Sequence, residues 1–198
     1  MLRATFSPPI IPTACRLPLG GPPPASEMLI MNRAEENLMA WLRDAHAMEE
    51  HDVTMLNSLA SRTGDYPDVR ARLEQHLLET RRQAEALEGC ILRRGGDTST
   101  LKDLAGKMIA FGQGMSGMFA DDEIVKGAMA SYAFEHMEVA AYRVLIVAAE
   151  TAGDAHTKAV CERILKEELS MASDLEAHLP DLAREYLRRS QVRRSQAR

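Results

Sequence analysis

Residues 131–145, SYAFEHMEVAAYRVL, decide the fold. Extended at both ends, the line Ala128, Ser131, Glu135, Glu138, Tyr142, Leu145 and Ala149 recurs every three or four residues. That is the face of an α-helix and not of a strand. The face is small or apolar except for two carboxylates at its middle, and those two set the question of function.

Working outward, Asp121–Asp122–Glu123 place acidic groups where the positive end of a helix favours them, and Gly153–Asp154 closes the segment, giving a helix over 121–152. The next helix, 155–179, carries Cys161, Ile164, Glu168, Met171 and Leu175 on one line and is expected to stop at Pro180. A short segment, Leu182–Tyr186–Leu187, and a disordered tail follow. Upstream, a helix over 33–62 presents Leu38, Leu42, Ala45, Val53, Leu56 and Leu59, and Thr63–Gly64–Asp65 with Pro67 ends it. Another, over 67–93, presents Val69, Leu73, Leu77, Thr80, Ala84, Leu87 and Ile91 and ends at Gly95–Gly96. Residues 100–118, rich in Met and broken by Gly112, Gly114 and Gly117, read as a crossing connection with a short extra helix. Two helical hairpins joined by a long crossover make an all-α, one-crossover four-helix bundle.

Composition agrees. The chain has 198 residues, 45% hydrophobic but only 5% aromatic, which suits one domain of packed helices better than a sandwich or barrel. The net charge of −5 is uneven: residues 1–33 carry +2, residues 184–198 carry +5, and the body between them carries −12. An acidic body excludes a nucleic-acid-binding core, leaving only the Arg-rich tail as a weak candidate. Three scattered cysteines supply neither a disulfide framework nor a zinc knuckle, so a cytoplasmic setting is expected. No apolar run is long enough to span a bilayer. Seven prolines between Pro8 and Pro24 make residues 1–32 read as a disordered segment, with Met28 or Met31 as alternative starts. The bundle then occupies 33–187, followed by a basic disordered tail over 188–198.

Each helix has a charged intruder in its apolar stripe: Glu49, Glu79, Glu138 and Glu168. An ionised carboxylate is costly to bury without a partner. Glu49 and Glu79 are thirty residues apart, as are Glu138 and Glu168, so the two hairpins carry carboxylates at matched places. Four such groups around a bundle axis suit two divalent metals bridged by carboxylate oxygens. His46, His76, Gln83 and Glu135 are candidates to complete the coordination; read singly, the two histidines are packing neighbours. His51, His136, His156 and His178 fall off the line and read as surface. Nothing resembles a nucleophile–base pair or a phosphate-cradling loop; Gly112-x-Gly114 does not follow a strand.

The segments LRDAHAMEEH, LEQHLLETRRQAEALE, YAFEHMEVAAYRVL and ILKEELSMASDLEAHLP resemble the bacterial YciE/YciF family of ferritin-like stress proteins over roughly residues 35–187. The resemblance implies a ferritin-like bundle with a dinuclear metal centre, its acidic residues falling on Glu49, Glu79, Glu138 and Glu168. Iron is the metal it implies first, with manganese or zinc as alternatives. The chain departs from the Glu-x-x-His pattern of di-iron bundles: three residues after Glu79 stands Arg82, and three after Glu168 stands Met171. Two readings follow. One is a metal-binding protein, with Glu49 and Glu138 as terminal ligands, Glu79 and Glu168 as bridges, and open positions for oxygen or peroxide. The other is a non-catalytic helical stress or interaction protein that has lost its centre. A homo-oligomer, in its simplest form a dimer, is expected in either case.

Overall fold

A computed structural model describes residues 24–64, 66–97 and 123–196. Four helices, α1 (Ala25–Arg62), α2 (Pro67–Arg93), α3 (Glu123–Thr151) and α4 (Ala155–Gln196), form a ferritin-like four-helix bundle. No strand occurs among the described residues. The contacts fix the topology. Glu49 meets Tyr142 while Leu59 lies against Gly127, so α1 and α3 run antiparallel. Gln83 reaches Glu168 while Arg93 reaches Asp154, so α2 and α4 do too. Each hairpin is antiparallel by construction, so the segment joining α2 to α3 connects opposite ends of the bundle. The crossing connection expected over 100–118 lies outside the described residues, as do residues 1–23.

Local chemistry sets the helix ends. Pro67 opens α2 at a position whose N–H would have no partner in any case. Gly153 closes α3 in the left-handed region at φ +70°, where a β-carbon would be strained. Asp154 then caps α4, accepting the Thr157 N–H at 3.1 Å and its hydroxyl at 2.7 Å. Arg93 and Arg94 also bind Asp154, tying the end of α2 to the start of α4.

Two boundaries differ from the sequence reading. The first helix starts at Ala25, not 33: the Pro24 carbonyl accepts from the N–H groups of Glu27 and Met28, and Glu27 places a negative charge in the first turn. Met28–Met31 are exposed there, so local propensity and not packing carries this turn. The last helix runs through Pro180 and on to Gln196 in place of a stop and a disordered tail. Proline removes one backbone bond, but Leu182 beyond it is buried, Arg189 stacks 4.6 Å over the Tyr66 ring, and Glu185 pairs with Arg188 and Arg189. Packing and i,i+3/i,i+4 ion pairs thus outweigh the break.

The core is layered. One apolar cluster joins Leu38, Leu42, Leu87, Ile91, Leu145 and Ile164. A second joins Leu56, Leu59, Leu73, Leu77 and Met171. Burying each such side chain contributes about 1.5–3 kcal/mol. On α1 and α4 the buried carboxylates Glu49, Asp52 and Glu168 fall between the two clusters, so a charged layer crosses the bundle with apolar layers above and below it.

A candidate metal centre

The charged layer holds Glu49 and Asp52 from α1, His76, Thr80 and Gln83 from α2, Ser131, Glu135 and Glu138 from α3, and Glu168 from α4, all buried. Ligand-capable atoms of Asp52, His76 and Glu135 lie within 4.8 Å of one another, and so do those of Glu135, Glu138 and Glu168. Glu135 belongs to both groups. Around His76 the geometry is directional. Its Nδ1 stands 3.2 Å from Glu79, and its Nε2 stands 3.2 Å from Glu135 and 3.8 Å from both Asp52 and Glu168. Glu79 is the carboxylate held ionised and can only accept, whereas the carboxyls at Nε2 are raised; the fitting neutral tautomer carries its proton on Nδ1 and turns the Nε2 lone pair to the centre.

The layer is short of donors. Tyr142 donates to Glu49, Thr80 to Asp52 at 3.3 Å, and Gln83 to Glu168 at 2.5 Å. Buried oxygens of Glu49, Asp52 and Glu168, both oxygens of Glu135 and of Glu138, and Nε2 of His76 have no hydrogen-bond partner. Burial, with repulsion from its acidic neighbours, pushes each carboxyl up: Asp52 to about 7, Glu135 to about 8 and Glu168 to about 9. Glu49 and Glu138 rise well above the usual carboxylate range for the same reason, burial first and then neighbouring carboxylates. An acceptor-rich, buried layer of this kind, its carboxyls held protonated by burial, fits cations: each would replace several protons and satisfy several orphaned oxygens at once.

Glu49, Glu138, Glu168, His76, Glu135 and Gln83 are therefore brought into one layer. Glu79 is not. Its carboxylate sits at the bundle edge, held by Gln75 at 3.0 Å, by His76 Nδ1, and by Arg72 at 3.5 Å. Burial pulls its pKa up, but the Gln75 and His76 hydrogen bonds and the Arg72 charge outweigh that and leave it below the ordinary value. Glu135, and not Glu79, is the carboxylate shared by the two groups of ligand-capable atoms, as α2 presents His76 to the centre and turns Glu79 outward. His46 is half-buried and belongs to neither group. His51, read as surface, is half-buried and packs against Phe134 at 5.7 Å between ring centroids. Asp52 was absent from the sequence reading, yet the stripe Leu42, Ala45, Glu49, Leu56 skips one step of three and four, and position 52 is that step.

A family described as a domain of unknown function, DUF892, matches residues 33–188. A solved structure of a protein from Xanthomonas campestris pv. campestris is 36% identical, covering 80% of this chain and 99% of that one, with a TM-score of 0.68. YcfI from Rhodopseudomonas palustris is 26% identical, covering 72% and 92%, with a TM-score of 0.60. The Desulfovibrio desulfuricans bacterioferritin, a protein with a di-iron site, is 22% identical over 80% of this chain and 89% of its own, with a TM-score of 0.62, a likeness of fold. The chain belongs to the DUF892 family. No described helix is long and apolar enough to cross a membrane.

Proposed function

Taking that membership and the ferritin-like bundle as the premise, we propose that this chain binds a pair of divalent cations, iron first among them, in the charged layer. Asp52, His76 and Glu135 would hold one ion and Glu135, Glu138 and Glu168 the other, with Glu135 between them and Glu49 beside Glu138. The observation that carries the reading is the set of orphaned, buried carboxylate oxygens converging on one histidine nitrogen. Bound there, the pair would supply redox chemistry toward oxygen or peroxide. The protein's own part is to keep the layer dry between two apolar clusters. Glu79 aims His76, and Tyr142 holds Glu49 through its hydroxyl. A stress-associated, cytoplasmic homo-oligomer of the YciE/YciF kind is the setting this reading favours.

The test is anaerobic reconstitution with ferrous iron followed by metal analysis. Two ions per chain is the expected result, and less than one overturns the reading. A second reading, a helical stress or interaction protein without a centre, draws on the absence of a nitrogen ligand from α4, where Met171 is packed in the apolar cluster. It requires that metal leave the melting temperature unchanged, whereas cations bound only by the folded state must raise it.

A further inference from the structure

The layer is closed above and below by apolar side chains, and three of its four walls are tight. Within each hairpin the helices pack along their length, and α1 meets α3 so closely that a β-carbon on Gly127 would fall 2.6 Å from Leu59. Of the neighbouring helices, α2 and α4 pack together least. In that seam lies a cleft of about 440 Å³ lined by Arg72, Glu79, Lys166, Glu167, Ser170 and Asp174. One buried side chain links the cleft residue Glu167 to the interior. The Gln83 amide nitrogen donates to Glu167 at 2.9 Å and to the buried Glu168 at 2.5 Å. Its own oxygen is buried without a partner, as is the second oxygen of Glu168. Of the two cationic side chains in the cleft, Arg72 is neutralised by Glu79 and Asp174, and Lys166 is exposed.

We propose that divalent cations reach the layer through this α2–α4 cleft, with Glu167 as the outer acceptor and the Gln83 side chain as the gate. A cation on Glu167 displaces the amide N–H that Glu167 accepts. The freed amide swings, its unpartnered oxygen turning toward the ion, and the ion passes to Glu168. Consecutive carboxylates on α4 thus serve as port and destination. Lying outside the layer, Glu167 governs how fast cations arrive and not how tightly they are held. The inference rests on the metal-binding reading above.

Stopped-flow uptake of cobaltous ion by the chelator-stripped full chain, with equilibrium titration of the same samples, separates route from site. In E167Q the uptake rate should fall about tenfold, the scale of local electrostatic focusing, with affinity and stoichiometry unchanged. In S170W, where the indole fills the exposed cleft, the rate should fall likewise. The control E88Q, at a half-buried α2 position that does not line the cleft, should match wild type. Wild-type rates in both E167Q and S170W, with normal end points, overturn the route alone. A weakened end point in E167Q also overturns it, by making Glu167 a ligand. No uptake by the wild-type chain overturns the site and the route together.

Discussion

Stripped of metal, the protein should lose thermal stability as the pH rises from 7 to 8. The buried carboxyls are the reason. Glu135 and Glu168 are pushed to about 8 and about 9 by burial and mutual repulsion, against an ordinary value of 4.5. A carboxyl raised in the folded state contributes stability that is complete below its unfolded pKa and is lost as pH climbs through the folded one. Between pH 7 and 8 the unfolded chain has already released both protons, while the folded chain still holds most of them. Each proton so retained costs about 1.4 kcal/mol per pH unit; Glu49 and Glu138, raised in the same direction, add to the loss, of which Glu135 and Glu168 alone account for roughly 2–3 kcal/mol. For a domain of this size that is a fall in melting temperature of about 4–10 °C. Groups with opposite behaviour stay silent in this window. Glu79 and Asp154, both lowered, lose their contributions only as the pH falls toward the acid range. Circular-dichroism melts in excess chelator at pH 7.0, 7.5 and 8.0 provide the assay, with E168Q expected to show a shallower slope than wild type. With manganous ion present the slope should shrink or reverse, because binding releases those protons. A chelated protein whose melting temperature is flat or rises from pH 7 to 8 would refute the reasoning.

Other outcomes follow from the same layer. E135Q should lower the bound cation count to one or none while raising the melting temperature of the chelated protein at pH 8, worth about 1–3 kcal/mol, since it removes a buried charge that has no partner; inductively coupled plasma analysis and calorimetry on the same sample check both halves. Y142F removes the hydrogen bond that Glu49 accepts and should destabilise the chelated protein by about 1–3 kcal/mol in urea titrations, provided the pH is high enough to ionise Glu49. D154A strips the α4 cap and leaves Arg93 and Arg94 without their shared carboxylate; a loss of about 1–2 kcal/mol is expected near pH 7, and the difference from wild type should vanish as the pH falls below the range where Asp154 is ionised.

How much of this was legible in the sequence varies by helix. On α3 the stripe through Ser131, Glu135, Glu138 and Tyr142 is strict, and all four side chains are buried as the spacing requires. On α2 the polar positions 76, 79, 80 and 83 span a wider arc, and spacing alone leaves open which of them face inward. Arg72, seven residues before Glu79, draws that carboxylate outward and leaves His76 inside. The thirty-residue symmetry of the two hairpins therefore holds for backbone positions but not for the side chains that meet at the centre. Asp52 was readable in principle from the gap in its stripe. Continuation of α4 past Pro180 was not, because it depends on the burial of Leu182 and on Arg189 finding Tyr66 more than a hundred residues away in sequence. Local rules place the break; tertiary packing overrides it.

The central claim is that one buried layer holds two cations with Glu135 between them. Anomalous scattering from crystals of the manganese-loaded chain tests it most directly. The account predicts two peaks, one among Asp52, His76 and Glu135 and the other among Glu135, Glu138 and Glu168. An empty layer at saturating metal, or peaks only at surface carboxylates, would contradict it.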